Sequence, residues 1–355
     1  MTHPYEGRPN RFYWRTAVAD PGGFGLTDLW RPKFKLTKST KFITAGSCFA
    51  QHISRRLVER GYTWLDAEPG PDYSAPESKR RFNYGIFSFR TGNIYTAHML
   101  LQWVRFAFGS DAPSLQPLEK DGRYYDPYRQ QIEPDGFVSV EELMASREAA
   151  LAALRLAFTE ADVLLFTFGL TEAWIDRATG HEYSSCPGVV AGHYDPASTY
   201  MINHPLGQIA RDFRDALRIV NENRSINLRV ITTVSPVPLT ATASNNHVLT
   251  ATTYSKSVLR AVAGQLTESS PSIDYFPSYE VVTAPVSRGI HYEGNYRNVT
   301  AGGVDAVLQH FFCAIEGETG ARHVRSGSSQ TPAGEPETDP DVICDEVILD
   351  AFARR

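Results

Sequence analysis

Two nearly unbroken apolar runs limit what this chain can fold into. Asp162-Val163-Leu164-Leu165-Phe166-Thr167-Phe168 stops at Gly169, and Asn227-Leu228-Arg229-Val230-Ile231-Thr232-Thr233-Val234 stops at Ser235-Pro236. A strand wetted on one face alternates polar and apolar residues. A run that does not alternate is covered on both faces, as central strands of parallel sheets are. Lys41-Phe42-Ile43-Thr44-Ala45 is a shorter strand ended by Gly46, and Ile273 to Phe276 is another. Helical spacing fills the intervals. Phe49, Ile53, Leu57 and Val58 lead to Gly61, and Met99, Leu100, Trp103 and Phe106 mark a helix over about 96–108. Ser139-Val140-Glu141-Glu142 is a capping box opening a helix that is expected to run, with a break, to about Glu160. Further helices are expected over about 209–221, 252–266 and 303–314. This alternation predicts a three-layer α/β/α sandwich with a mainly parallel sheet. Ligands of such sheets sit at the carboxyl ends of the strands. The loops after Ala45, Phe168, Val234 and Phe276 are therefore expected along one rim.

The organisation around that core follows from composition. Residues 1–40, rich in Pro, Gly and aromatics, are expected to form an N-terminal arm packed on a domain spanning 41–315. Segments 69–78, 109–138 and 176–204 carry turns, prolines and charge, and are expected as loop and cap excursions. Residues 324–341 have the composition of a disordered linker, followed by a short helix over 342–355.

Bulk properties exclude several function classes. The formal net charge of -5 gives no bulk attraction to nucleic acid or an anionic membrane. No apolar run reaches the length of a membrane span, and the first residues lack the basic and apolar blocks of a signal peptide. Cys48, Cys186, Cys313 and Cys344 lie far apart and form no Cys-x-x-Cys pair, so neither a disulfide framework nor a zinc site is expected. Reduced cysteines point to the cytoplasm. No Gly-rich phosphate loop or metal-ligand cluster stands out.

The turn Gly46-Ser47-Cys48-Phe49-Ala50 is the first candidate site. A strand entering a helix through glycine aims the first helical N–H groups at whatever lies above, and the helix dipole favours negative charge there. A thiol in that place is expected to have a lowered pKa, which makes Cys48 a candidate nucleophile and its own N–H an oxyanion donor. The bland alternative is a small buried residue packing under the turn.

This turn is the motif for which the GSCFA family is named, and the chain resembles that family elsewhere too. The resemblance extends through Phe82-Asn83-Tyr84-Gly85, Gly92-Asn93-Ile94-Tyr95-Thr96, Thr167 to Trp174, Ser235 to Thr240, Tyr254 to Ser257 and Tyr275 to Glu280, over roughly residues 1–315. The family's layout is similar to that of SGNH/GDSL hydrolases. That likeness implies Cys48 as nucleophile, with Ser47 as rival. It places Gly92 or Asn93 in the second oxyanion role, and Thr171, after Gly169, near the third. It also implies a late Asp-x-x-His, and here the chain departs. The aligned residues are Asn295 and Asn298, neither of which accepts a proton at neutral pH. A serine without a base is nearly inert, whereas a cysteine needs less help. Candidate replacement bases are His291, His52, His247 and Glu280, and Arg297 is a candidate anion clamp.

Three readings follow. The first is an esterase or acyltransferase acting on an acylated carbohydrate or similar small substrate. The second is a non-catalytic binder of coenzyme A, acyl-coenzyme A or a glycan. The third is a degenerate hydrolase serving as an interaction module. None requires a metal or nucleic acid.

Overall fold

The computed structural model describes residues 3–317 and 345–353. They divide into two compact units. The larger comprises residues 38–275 with 345–353, and the smaller comprises 3–37 with 276–317.

The larger unit follows the alternation read from the sequence. Its elements in order are β1 (Phe42–Gly46), α1 (Phe49–Glu59), α2 (Pro76–Arg81), α3 (Ala97–Phe108), β2 (Leu118–Lys120), β3 (Arg123–Tyr125), α4 (Val140–Glu160), β4 (Val163–Phe168), β5 (Glu172–Asp176), β6 (Glu182–Tyr183), β7 (Thr199–Asn203), α5 (Leu206–Glu222), β8 (Arg229–Val234), α6 (Val248–Ser269) and β9 (Ile273–Tyr275). The central sheet runs β1-β4-β8-β9, all parallel, with Phe42 opposite Val163, Val163 opposite Arg229 and Val230 opposite Ile273. Every residue of β1 and β4 is buried, as strands covered on both faces must be. Helices flank the sheet in a three-layer α/β/α sandwich: α1 packs on β1 and β4, α6 on β8 and β9, and α5 against α3 and α6.

Local chemistry sets the helix ends. Thr96 accepts from the Met99 N–H at 2.9 Å to start α3, and Gly109, left-handed at φ 76°, ends it. Ser139 Oγ accepts from the Glu142 N–H at 3.2 Å, and Glu142 Oε2 reaches back to the Val138 N–H at 2.8 Å. The helix these open runs unbroken to Glu160. The segments expected as loops hold strands. β2 and β3 form an antiparallel pair, and β6-β5-β7 a three-stranded antiparallel sheet. Asp345–Phe352 forms a 3-10 helix. The linker expected over 324–341 lies outside the described residues. Among the described residues, no helix is long and apolar enough to cross a membrane.

The smaller unit has little regular structure before residue 37: two 3-10 turns, Asn10–Phe12 and Gly23–Gly25, and a π turn, Arg15–Ala19. Two helices follow later, α7 (Ser278–Thr283) and α8 (Ala301–Glu316). Its core is aromatic. Trp30 stacks on Phe311, ring centroids 5.3 Å apart, and meets Phe276 edge-on at 5.1 Å.

Candidate functional site

Gly46 dictates the turn between β1 and α1. Its φ is +123°, and a Cβ there would lie 2.3 Å from the Thr167 carbonyl oxygen, so no side chain fits. The Ser47 N–H donates to that same carbonyl at 3.0 Å. The chain then turns through Cys48, which is 6% exposed, directly into the first turn of α1. The thiol thus sits at a helix N-terminus, where the dipole favours negative charge, and it is buried, which works the other way.

Neighbouring loops are bonded to this turn at the carboxyl end of the sheet. The Ile94 N–H donates to the Gly46 carbonyl at 2.8 Å. The Gly169 and Leu170 N–H groups both donate to the Tyr95 carbonyl, at 3.0 and 3.1 Å, and the Ser235 N–H donates to the Phe168 carbonyl at 2.8 Å. A Cβ on Gly169 would lie 3.1 Å from Ser47 Cβ and 2.8 Å from the Tyr95 ring. The glycine therefore lets two loops close against each other. Gly46, Ser47, Cys48, Gly92, Asn93, Gly169 and Thr171 all lie on these joined loops.

Their side chains are unequally committed. Asn93 is buried, and its Oδ1 accepts from Gln51 Nε2 at 3.1 Å. By contrast Ser47 Oγ, Thr167 Oγ1 and Thr171 Oγ1 are buried with no hydrogen-bond partner among the described residues. Buried hydroxyls left unpaired cost stability, and they mark places where water or a ligand completes the bonding.

Other expected site residues belong to the smaller unit. Asn295 Oδ1 accepts from the N–H groups of Arg297 and Asn298, both at 2.9 Å, so its carboxamide builds its own turn. The Glu293 N–H donates to the Asn298 carbonyl at 2.8 Å and the Thr300 N–H to the His291 carbonyl at 2.9 Å, closing the loop as a small hairpin. Arg297 Nη1 lies 3.5 Å from Asn298 Oδ1. Glu280 sits in α7, its carbonyl bonded by the Ala284 N–H. His291 is buried, burial pushes its pKa down, and it lines a cavity within this unit. Two other histidines weighed as bases lie in the larger unit. His52 meets the Phe49 ring edge-on at 5.6 Å. His247 caps α6, its Nδ1 accepting from the Leu249 N–H at 3.2 Å.

A buried polar chain that the sequence did not reveal runs beside the Thr171 loop. The Thr96 hydroxyl is 2.8 Å from both carboxylate oxygens of Glu182, and His204 Nε2 is 3.3 Å from one of them. The His204 ring stacks on His98, centroids 5.2 Å apart, and His98 Nδ1 is 3.0 Å from Asp212. The His204 N–H donates to the Thr171 carbonyl at 2.8 Å, while its Nδ1 is buried without a partner. Burial works to lower the His98 pKa, but the bond to Asp212 and the charges of Glu182 and Asp212 outweigh it and hold the pKa up.

The family model of the GSCFA family matches residues 41–311. The chain belongs to the GSCFA family. The GSCFA match begins one residue before β1 and ends within α8, so it takes in both the Gly46–Ala50 turn and the 291–300 loop. No curated protein matches the chain.

Proposed function

We propose that this GSCFA protein is an SGNH-like acyl-transfer protein, an esterase or acyltransferase for an acylated carbohydrate or similar small substrate in the cytoplasm, with Cys48 as the acyl-accepting nucleophile. One observation carries the reading. Two buried hydroxyls without partners among the described residues, those of Ser47 and Thr171, lie on loops bonded to the turn that bears a buried thiol at a helix N-terminus. Unpaired donors beside a nucleophile are what an oxyanion needs, because they stabilise charge that appears only in the transition state. Cys48 attacks the acyl carbon as thiolate and the carbonyl oxygen gains the negative charge. Collapse of that intermediate breaks the ester C–O bond and expels the alcohol, which takes a proton from solvent, leaving a thioester on Cys48. Water or an acceptor hydroxyl then takes the acyl group and frees the thiol.

The test has two parts. A thiol-directed electrophile should label Cys48 faster than Cys186 or Cys313, with a midpoint below the ordinary thiol value. Chromogenic acetyl esters should be turned over by the native protein, more slowly by Ser47→Ala, which loses an oxyanion donor, and not at all by Cys48→Ala. Slow labelling of Cys48, or turnover surviving Cys48→Ala, rules the nucleophile out.

A second reading, a binder of coenzyme A or a glycan without turnover, is favoured by Asn295 and Asn298 standing where the superfamily has its acid and base. Thermal stabilisation by coenzyme A or acetyl-coenzyme A with no ester turnover would establish it.

A further inference from the structure

The smaller unit carries an open cleft of about 680 Å³ that the acyl-transfer reading does not use. Such a volume lies within the range of about 300–1,000 Å³ typical of small-molecule sites. Its walls are mostly apolar: Leu26, Leu29, Trp30, Pro32 and Val281 among them, with Phe24, 79% exposed, also lining it. Trp30 is locked by its stack on Phe311 and is 7% exposed. This wall is therefore built before anything binds.

The polar groups are few. His291 and His310 line the cavity with Gln309, Cys313 and the ion pair of Asp28 with Arg31. His291 is 5% exposed, and among the described residues its hydrogen bonds run through the backbone carbonyl. His310, half-buried on α8, lines the same cleft, and among the described residues its ring makes no hydrogen bond. Both rings therefore face the cleft with hydrogen-bonding capacity to offer to water or to a bound molecule.

Charge selects among partners. Burial lowers the pKa of His310, and the neighbouring His291 lowers it further; burial also lowers that of His291. Both rings are therefore neutral at pH 7, each offering one donor and one acceptor. An anion would meet two neutral rings and a guanidinium, Arg31, whose charge is already paired with Asp28 at 2.6 Å. A cation would find two neutral rings and a carboxylate already bonded to Arg31 at 2.6 Å and Arg11 at 3.0 Å. We propose that this cavity is a binding site for an uncharged, largely apolar small molecule whose hydroxyl, carbonyl or amide groups hydrogen-bond to His291 and His310.

Three naphthalene probes of matched shape test it on the full chain by calorimetric titration at pH 7.5: 2-naphthol, naphthalene and 2-naphthoate. The expected order places 2-naphthol at least tenfold tighter than naphthalene, whose ring offers no hydrogen bond, and at least tenfold tighter than the anion. His310→Phe should erase the preference over naphthalene, and Ala306→Trp, which fills the cavity from α8, should abolish binding of all three. If His310→Phe does not fold, histidine ring nitrogen spectra of the native protein replace it, and both His291 and His310 signals should move as 2-naphthol is added. Absence of 2-naphthol binding, equal affinity for naphthalene, tighter binding of the anion, binding that survives Ala306→Trp, or unmoved ring signals each overturns the proposal.

Discussion

Lys256, carried on α6, donates from Nζ to the Gly169 carbonyl oxygen at 2.7 Å. The lysine is 2% exposed, so a charged group has been drawn inside to fasten α6 to the loop that leads to Thr171. Lys256→Met keeps most of the apolar stem and removes this charge-assisted bond. The expected loss is about 2–3 kcal/mol, the range for depriving a buried acceptor of a charged donor. Urea unfolding of the two proteins measures it, and a change below about 0.5 kcal/mol would show that the bond does not hold the loop.

Gly46→Ala should be more damaging than a glycine change in an open turn. The new Cβ would meet the Thr167 carbonyl at 2.3 Å, and that oxygen is held by the Ser47 N–H. β1 and β4 would have to separate where Gly46 pairs with Thr167. The expected cost exceeds about 3 kcal/mol, as for strain forced on a buried backbone. Gly92→Ala is the control: its φ of +72° is also unfavourable, but nothing lies within 4 Å of the added atom. A Gly46 variant as stable as the Gly92 variant would contradict the close approach.

The His98 pair with Asp212 predicts a pH dependence of definite sign. A histidine whose folded pKa is raised binds its proton more tightly when folded. Its stabilisation is complete below the unfolded value near 6.5 and is lost as pH climbs through the folded value. The difference in stability between the native protein and His98→Gln should therefore shrink from about pH 6 to about pH 9. His291 and His310 act with the opposite sign. Their lowered values add stability above about pH 6.5 that fades on acidification. A difference for His98 that grows with pH would show the wrong protonation state.

Cys186 supplies an internal standard for thiol chemistry. Burial pushes its pKa up to about 11, so only about a thousandth of it is thiolate at pH 8. Alkylation by iodoacetamide, followed by peptide mass analysis, should leave Cys186 the slower of the pair with Cys48 until the pH passes about 10. Rapid labelling of Cys186 at pH 8 would mean that its burial is not maintained.

How much was legible in the sequence depended on the range of the signal. β4 and β8 are continuous apolar runs, α3 follows from its apolar spacing, and α4 from the Ser139 capping box. The antiparallel sheet of β5, β6 and β7 escaped because its strands are short and separated by turn-rich sequence. Alternation in Glu172-Ala173-Trp174-Ile175-Asp176, with Ala173 and Ile175 buried, was the available clue. The Gly46 turn is contiguous in sequence and was found through its motif. The chain of Thr96, Glu182, His204, His98 and Asp212 was not, since its members come from α3, β6, α5 and the residue after β7. The cavity shares this origin, because Trp30 and His310 stand far apart along the chain.

The Asn295 turn carries a consequence for how this lineage can change. Its carboxamide oxygen does all the accepting that the loop asks of it, and a carboxylate oxygen would accept the same two bonds. The Asn298 carbonyl closes the hairpin through its backbone, which a histidine would leave intact. Exchanging amides for an acid and an imidazole would thus be nearly silent for folding. Under the acyl-transfer proposal, proton-transfer groups could enter or leave these two positions while the scaffold stays untouched, and the same architecture would then serve more than one chemistry.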